Sequence, residues 1–315
     1  MPARIRPEMR DRTRQAAALT TGVAAPLVDA PMNLPAPDPA FHWSHETWGA
    51  ALRCDPLTQV AAHVFTTRQL PLRPFERQSA AWAAAVRAVG GAVDDLARIR
   101  QVHGRTVRVA HGGDSVSVGA PDADAIVSSA PGCVLAVQVA DCVPLLLADP
   151  RTGAVGAVHA GWRGTAARIG PAAVDALTRE YGTQPADLIA AVGPSIGACC
   201  YEVGLELPDA FRQAGATDVQ LARWFSRTDG GSLRLDLWAA NRDQLLEAGI
   251  PAGRIHLSSL CTQTHATVFD SYRVEGPNAG RMAALIRVPR THDGREGHEA
   301  QPFVCLRALR VGLVR

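Results

Sequence analysis

Short apolar runs, each cut off by glycine or proline, recur through the middle of the chain: QVAAHVFTT, IRQVHGRTVRVA, CVLAVQVAD, VPLLLAD, AVGAVHAG, DLIAAVGPSIG and RIHLSSLCT. Runs of this length, rich in Val, Leu and Ile, read as buried strands. Helical patterns lie between them. AAWAAAVRAVGG, PAAVDALTREYG and LWAANRDQLLEAGIP each stop at or near glycine, and the second opens with proline in its first turn. Strands interleaved with helices confine the chain to an α/β or α+β domain.

Residues 1–50 are rich in Ala, Pro and Arg without a sustained period, and read as a flexible or irregular N-terminal extension. The folded part is expected to begin near Leu57 and to run as one catalytic domain over 57–288. After Pro289 the chain reads RTHDGREGHEAQP and then FVCLRALRVGLVR, a polar linker and a short amphipathic tail over 289–315. At 315 residues one large core is the simplest arrangement. No repeat of fixed period is evident.

Composition removes several function classes. No apolar run approaches the roughly 18 residues that cross a bilayer, so no membrane association is expected. A formal charge of +2 gives no electrostatic argument for a nucleic-acid partner. All 32 fixed positive charges are arginine. Without lysine there is no Schiff-base enzyme, no pyridoxal phosphate anchor and no Walker phosphate loop. Seven scattered cysteines, an odd number, fit a reducing, cytoplasmic setting better than a disulfide scaffold. The basic N-terminus is followed by AAALTTGVAAPLV, whose polar Thr20 and Thr21 and adjoining Gly22 interrupt the apolar stretch a secretory signal needs.

Three words carry candidate ligands: QVHG with His103, ADC with Cys142, and HAGWRG with His159. Imidazole and thiolate are what zinc prefers, and three protein ligands with a vacancy mark a catalytic rather than a structural site. Ligand type alone also permits three unconnected residues, with Cys142 a small apolar filler. The same residues would serve a metal-free cysteine hydrolase in which His103 or His159 activates Cys142. A rival lies in Gly193-Pro194-Ser195-Ile196-Gly197, a literal nucleophile-elbow pattern, with His111-Gly112-Gly113 as an oxyanion loop and Asp236 and His256 or His265 as partners. Against it, Pro194 restricts the elbow and only a short stretch precedes Pro208 for the expected helix. Cys199 and Cys200 are adjacent, a geometry ill suited to a disulfide or to paired ligation, and are expected to point one inward and one outward. Arg68, Arg163, Arg273 and Arg281 fall in or near glycine-containing or strand-like words, where a guanidinium fork suits phosphate or carboxylate. Arg163, four residues after His159, is the foremost of them.

Taken in order, HAGWRG, GPSIGACCYEV, DLWAANRDQLLEAGI and CTQTHATVFDSYRVEGPNAGRM resemble the bacterial YfiH/YlmD family, also called the laccase-domain or polyphenol oxidase family, over roughly Val64 to Val288. The resemblance implies a single domain of mixed β-sheets sandwiched by helices, an α-β-β-α layering like that of cytotoxic necrotizing factor. It implies zinc, with copper as the other metal, on His103, Cys142 and His159. It also implies purine nucleoside phosphorolysis, including methylthioadenosine cleavage, and adenosine deamination. The family is linked besides to phenol oxidation and to peptidoglycan editing. Oxidation by several coppers needs paired histidines, whereas His-x-His is absent and the chain has 10 histidines in all.

The expectation is therefore a cytoplasmic, monomeric zinc enzyme acting on a purine nucleoside and phosphate. Asp141 would orient the site beside Cys142, Arg163 or Arg68 would clamp phosphate, and Arg273 and Arg281 would add substrate contacts. A cell-wall-precursor editing or binding protein with a structural zinc is the reading from another class. The sequence departs from the family after VFTTR, where a Gly-Gly-x-Ser loop and an Asn-Leu-Gly segment are replaced by QLPLRPFERQSAAWAAAVRAVGG, and in FDSYRV, where Asp270 and Val274 are the changed positions.

Overall fold

The computed structural model describes residues 33–72, 80–111 and 120–290. The first 32 residues of the expected extension, the tail from 291, residues 73–79 of the altered segment and the Gly112-Gly113 pair lie outside the described residues. In chain order the strands are β1 (Phe41–Glu46), β2 (Gly49–Cys54), β3 (His63–Thr66), β4 (Leu96–Ala97), β5 (Val107–Val109), β6 (Ala125–Ser128), β7 (Val134–Val139), β8 (Val143–Ala148), β9 (Val155–Ala160), β10 (Ile189–Val192), β11 (Glu202–Val203), β12 (Phe225–Arg227), β13 (Leu233–Leu235), β14 (Ile255–Leu257) and β15 (Met282–Arg287). The helices are α1 (Asp55–Thr58), α2 (Ala80–Ala88), α3 (Trp162–Ala166), α4 (Ile169–Tyr181), α5 (Leu207–Gln213), α6 (Asp218–Trp224), α7 (Leu237–Glu247) and α8 (Tyr272–Glu275).

Two six-stranded mixed sheets form the body, in the orders β1-β2-β3-β15-β7-β4 and β14-β10-β8-β9-β6-β5. Each is antiparallel inside, with parallel pairs only at its margins: β4 with β7 in the first, β10 with β14 and β5 with β6 in the second. The sheets lie face to face through β7, β15, β8 and β9. Alternation along each strand divides the side chains between two layers. Val143, Leu145 and Leu147 of β8 and Val158 and Ala160 of β9 join Ile169, Val174 and Leu177 of α4 in one cluster. On the far side of the first sheet, Val134, Ala136 and Leu285 pack with Trp82, Ala85 and Val86 of α2. Every residue of β8 and β9 is buried, as strands covered on both faces must be. The layering is helix, sheet, sheet, helix, as the sequence motifs imply.

The three helical patterns appear as α2, α4 and α7, and glycine ends them as expected. Gly182 caps α4 at φ 69°, in the left-handed region that costs glycine no steric penalty. Asp236 caps the other end of α7, its carboxylate accepting from the Ala239 backbone N–H at 2.9 Å.

The start of the domain differs from expectation. Residues 41–54, assigned in part to the irregular extension, form the β1–β2 hairpin, which pairs through β2 with β3 and so extends the first sheet. Phe41 is buried against Phe65, and Trp43 stacks on Phe269 with ring centroids 6.1 Å apart. One face of β1 is half-exposed, which leaves too few apolar residues for a visible period. Phe41→Ala is accordingly expected to destabilise the protein by about 3–5 kcal/mol, read from its urea unfolding midpoint. An unchanged midpoint would mean that the hairpin is dispensable.

Candidate metal centre

Two chain crossings between the sheets converge on one end of the sandwich. The segment from β4 to β5 leaves the first sheet and enters the second, carrying His103. The three residues from β7 to β8 make the same crossing and carry Asp141 and Cys142. His159 arrives differently, on β9, between Val158 and Ala160, whose side chains join the helix-side cluster. Period two therefore turns His159 to the opposite face, between the sheets. Both crossings bend through left-handed backbone, φ 60° at His103 and φ 81° at Asp141. Conformations of this kind are held only where the surroundings over-determine them.

For His103 the determinant is Asp124, fully buried at the start of β6. Its carboxylate accepts from the backbone N–H groups of Val102 at 3.3 Å, His103 at 2.9 Å and Gly104 at 2.5 Å. It also accepts from His159 Nδ1 at 2.9 Å, which leaves Nε2 of that ring for the cavity. Burial pushes the Asp124 carboxyl up, but hydrogen bonds from His159, Gly104 and His103 outweigh it and hold the group below its ordinary value. Gln101 pins the same turn to β7: its amide donates to the Gln138 carbonyl and accepts from the Gln138 N–H, both at 2.7 Å.

Ligand atoms of His103, Cys142 and His159 lie within 4.8 Å of one another, and Cys142 Sγ is 4.0 Å from His103 Nε2. Tetrahedral zinc with its usual bond lengths separates such atoms by about 3.3–3.5 Å, so small side-chain rotations close the set. The surroundings are shaped for the close approach. A Cβ on Gly161 would come 2.9 Å from Cys142 Sγ and 3.1 Å from His103 Cδ2, so only glycine leaves the thiol and ring their places. Burial raises the Cys142 thiol, yet the charge of His159 and hydrogen bonds from both rings prevail and hold it down at about 6. Burial disfavours the charge on His159, and the Cys142 thiolate with Asp124 raises it to about 9. The chain thus prepares a thiolate, the form that binds metal.

The three residues open on a cavity of about 650 Å³, also lined by Asp141, Arg163, Arg273, Arg281 and the aromatics Trp162, Tyr201 and Tyr272. Its size suits a small-molecule ligand. Asp141 is engaged on both oxygens, Oδ1 accepting from Thr262 Oγ1 at 2.5 Å and Oδ2 from the Arg273 backbone N–H at 2.7 Å. It braces the crossing before Cys142. Arg163 lies over the Trp162 ring at 4.3 Å and has no carboxylate partner among the described residues, whereas Arg281 donates to the Ala279 and Gly280 carbonyls at 2.9 and 2.8 Å and its charge acts on Asp270. Arg273 donates to the Glu202 carbonyl at 2.9 Å and covers Tyr201 at 5.2 Å.

Arg68 is placed otherwise. It lines a neighbouring cavity of about 540 Å³ that shares Arg281. Its guanidinium is 2.6 Å from Glu275 and 3.9 Å from Asp270, and also donates to the Ala266 carbonyl. A cation already committed to two carboxylates is a poor phosphate clamp, which corrects that expectation. Ser195 is also corrected: its hydroxyl is buried and accepts from Trp238 Nε1 at 2.7 Å. The chain after it turns into β11 rather than a helix, so the nucleophile-elbow pattern here is a packing motif.

Sequence reasoning did not single out Asp124 or Tyr201. An aspartate directly ahead of the apolar AIVS of β6 was the available signal for the first. Asp124→Asn removes the acceptor shared by His159 and the His103 turn. Its affinity for a metal titrated into the chelator-stripped protein is expected to fall about 10–100-fold. Asp122→Asn, two residues away and paired with Arg100 on the surface, is the control expected to leave affinity unchanged.

Known proteins share this architecture. The family described as multi-copper polyphenol oxidoreductase laccase matches residues 76–289. A purine nucleoside phosphorylase of Deinococcus radiodurans is 43% identical over 225 residues, which span 71% of this chain and 81% of that protein. An adenosine deaminase, RL5, from an unknown prokaryotic organism is 39% identical over 202 residues, 61% of this chain and 75% of that one. The crystal structure of YlmD from Geobacillus stearothermophilus superposes with a TM-score of 0.69 at 29% identity, covering 78% of this chain and 98% of that chain. With two thirds of its length matched, and with the two sheets and crossings described above, the chain belongs to the laccase-like polyphenol oxidoreductase family that includes YfiH and YlmD.

Proposed function

We propose that the protein is a zinc-dependent purine nucleoside enzyme, cleaving adenosine, inosine and methylthioadenosine with phosphate and deaminating adenosine. One observation carries this reading: a His₂Cys set opens on an aromatic-lined cavity that also holds Arg163, a cation without a carboxylate partner among the described residues. The names of the Deinococcus and RL5 proteins, a phosphorylase and a deaminase, support it. His103, Cys142 and His159 would hold the metal. When bound, zinc supplies Lewis acidity. The donor set also accepts copper, but among the described residues it is one site, without the further histidine clusters a multicopper centre needs.

The remaining roles follow from charge and shape. Arg163 binds and orients phosphate, since among the described residues its charge meets no carboxylate; Arg281, whose guanidinium is held by the Ala279 and Gly280 carbonyls, adds positive charge to the wall beside it. The aromatic walls stack against a purine. Burial first, and then the neighbouring Cys142 charge, push the Tyr201 phenol up to about 12. Tyr201 therefore keeps its proton at neutral pH and can donate a hydrogen bond to a substrate oxygen. In phosphorolysis the bond from ribose C1′ to the base breaks and a bond from C1′ to a phosphate oxygen forms, so in-line placement of phosphate is the chain's main task.

A second reading has its own observation. Asp124, His159 and Cys142 form a carboxylate–imidazole–thiol series that also describes a cysteine hydrolase without metal. Thiol alkylation separates the two: labelling of Cys142 that zinc blocks favours the metal site, and labelling indifferent to zinc but fatal to activity favours the nucleophile.

For the zinc-loaded protein, adenosine with phosphate is expected to release adenine, and adenosine alone inosine, both followed by chromatography. Arg163→Ala should raise the KM for phosphate about 10–100-fold while deamination is spared. Failure to turn over any purine nucleoside would discard the substrate assignment and leave the metal centre to be judged by metal content in wild type against Cys142→Ala.

A further inference from the structure

A second cluster of soft donors lies outside the cavity. Cys199 and Cys200 sit in the turn that follows β10, and Cys261 lies on the segment after β14 that runs beside it, joined by a parallel bridge between Ser195 and Cys261. The expectation that the adjacent pair would point one inward and one outward is overturned. Their sulfurs are 3.5 Å apart, and both face the Thr264 hydroxyl, at 3.6 and 3.4 Å. All three thiols lie within 4.8 Å of one another.

The setting resembles a built site more than a chance meeting. Cys261 is buried and its sulfur accepts from the Gly197 backbone N–H at 3.3 Å, a bond that favours thiolate character. Cys200 is half-buried and Cys199 exposed, which gives an ion a path from solvent to a fixed anchor. Gly197 is required where it stands, because a Cβ there would come 2.9 Å from Trp238 and 3.4 Å from Cys199 Sγ.

We propose that Cys199, Cys200 and Cys261 form a second metal site, distinct from the cavity, that takes a soft monovalent ion, Cu(I), in three-coordinate sulfur ligation. The donor set selects the ion. Among the described residues no histidine or carboxylate joins the three sulfurs, so zinc would lack its usual fourth ligand. Cu(I) is satisfied by thiolates alone. For each Cu(I) bound, three S–H bonds break, three Cu–S bonds form and three protons pass to solvent. Copper enters and stays as Cu(I), so no electron is transferred. Each thiol gives up its proton on binding, so the ion competes with protons for the site and uptake strengthens as pH rises.

The test isolates this cluster from the cavity. Reduced, full-length Cys142→Ala protein is titrated anaerobically with Cu(I) against a colorimetric Cu(I) chelator, alongside the same protein carrying Cys199→Ser and Cys200→Ser. The first is expected to keep about one Cu(I) per chain and the second at least about tenfold less, with matching far-UV circular dichroism. X-ray absorption at the copper edge of the first protein should show a first shell of sulfur only. Failure of Cys142→Ala to retain Cu(I), equal retention in both proteins, or nitrogen or oxygen in the first shell overturns the proposal. Because the cavity ligand is absent throughout, none of these outcomes bears on the nucleoside reading.

Discussion

A single buried carboxylate organises the cavity. Asp124 gathers three consecutive backbone N–H groups and an imidazole, so one side chain sets both the backbone at His103 and the ring orientation of His159. Burying such a charge without partners would cost several kcal/mol. With four donors converging on it, the desolvation is offset and the geometry becomes hard to rearrange. Cys142 then meets two rings already in position. The depressed thiol follows from that arrangement rather than from any local property of the Ala-Asp-Cys segment.

The arginines show how context sorts one residue type into different work. Arg68 and Arg163 are both candidate phosphate ligands by sequence, with Arg163 the foremost. Folding places Arg68 between Glu275 and Asp270, and places Arg163 over the Trp162 ring with no carboxylate partner among the described residues. Gly280 tightens the first arrangement, since a Cβ there would come 2.6 Å from Asp270 Oδ1. Asp270 is thereby part of what holds Arg68 in the scaffold.

What was legible in the sequence were features written in neighbouring residues. Helices α2, α4 and α7 show their period and their glycine stops, and β8, β9 and β10 of the second sheet lie in apolar words, whereas β6 falls in none of them. The three candidate ligands stood out because glycine flanks two of them and family words surround all three. Asp124 did not stand out, because its partners lie about 20 residues before it and 35 after it, and only folding unites them. The thiol cluster was misread for a related reason. Adjacent side chains alternate in a strand, but Cys199 and Cys200 occupy a turn, where both can face one point. The serine motif failed in the opposite sense: its letters fit, while the helix that gives an elbow its meaning is missing.

The placement of His103 and Cys142 on crossings between the sheets has a mechanical side. From β7 to β8 only Ala140, Asp141 and Cys142 span the passage, and Asp141 is tied at both oxygens and at its backbone carbonyl, which accepts from Ile196 at 2.9 Å. There is almost no slack in such a corner. Sliding one sheet over the other by a single residue, about 3.3 Å, would carry the thiol out of reach of the two rings. An ion held by all three would act as a rivet through the laminate, translating the local strength of a few coordinate bonds into resistance of the whole sandwich to shear.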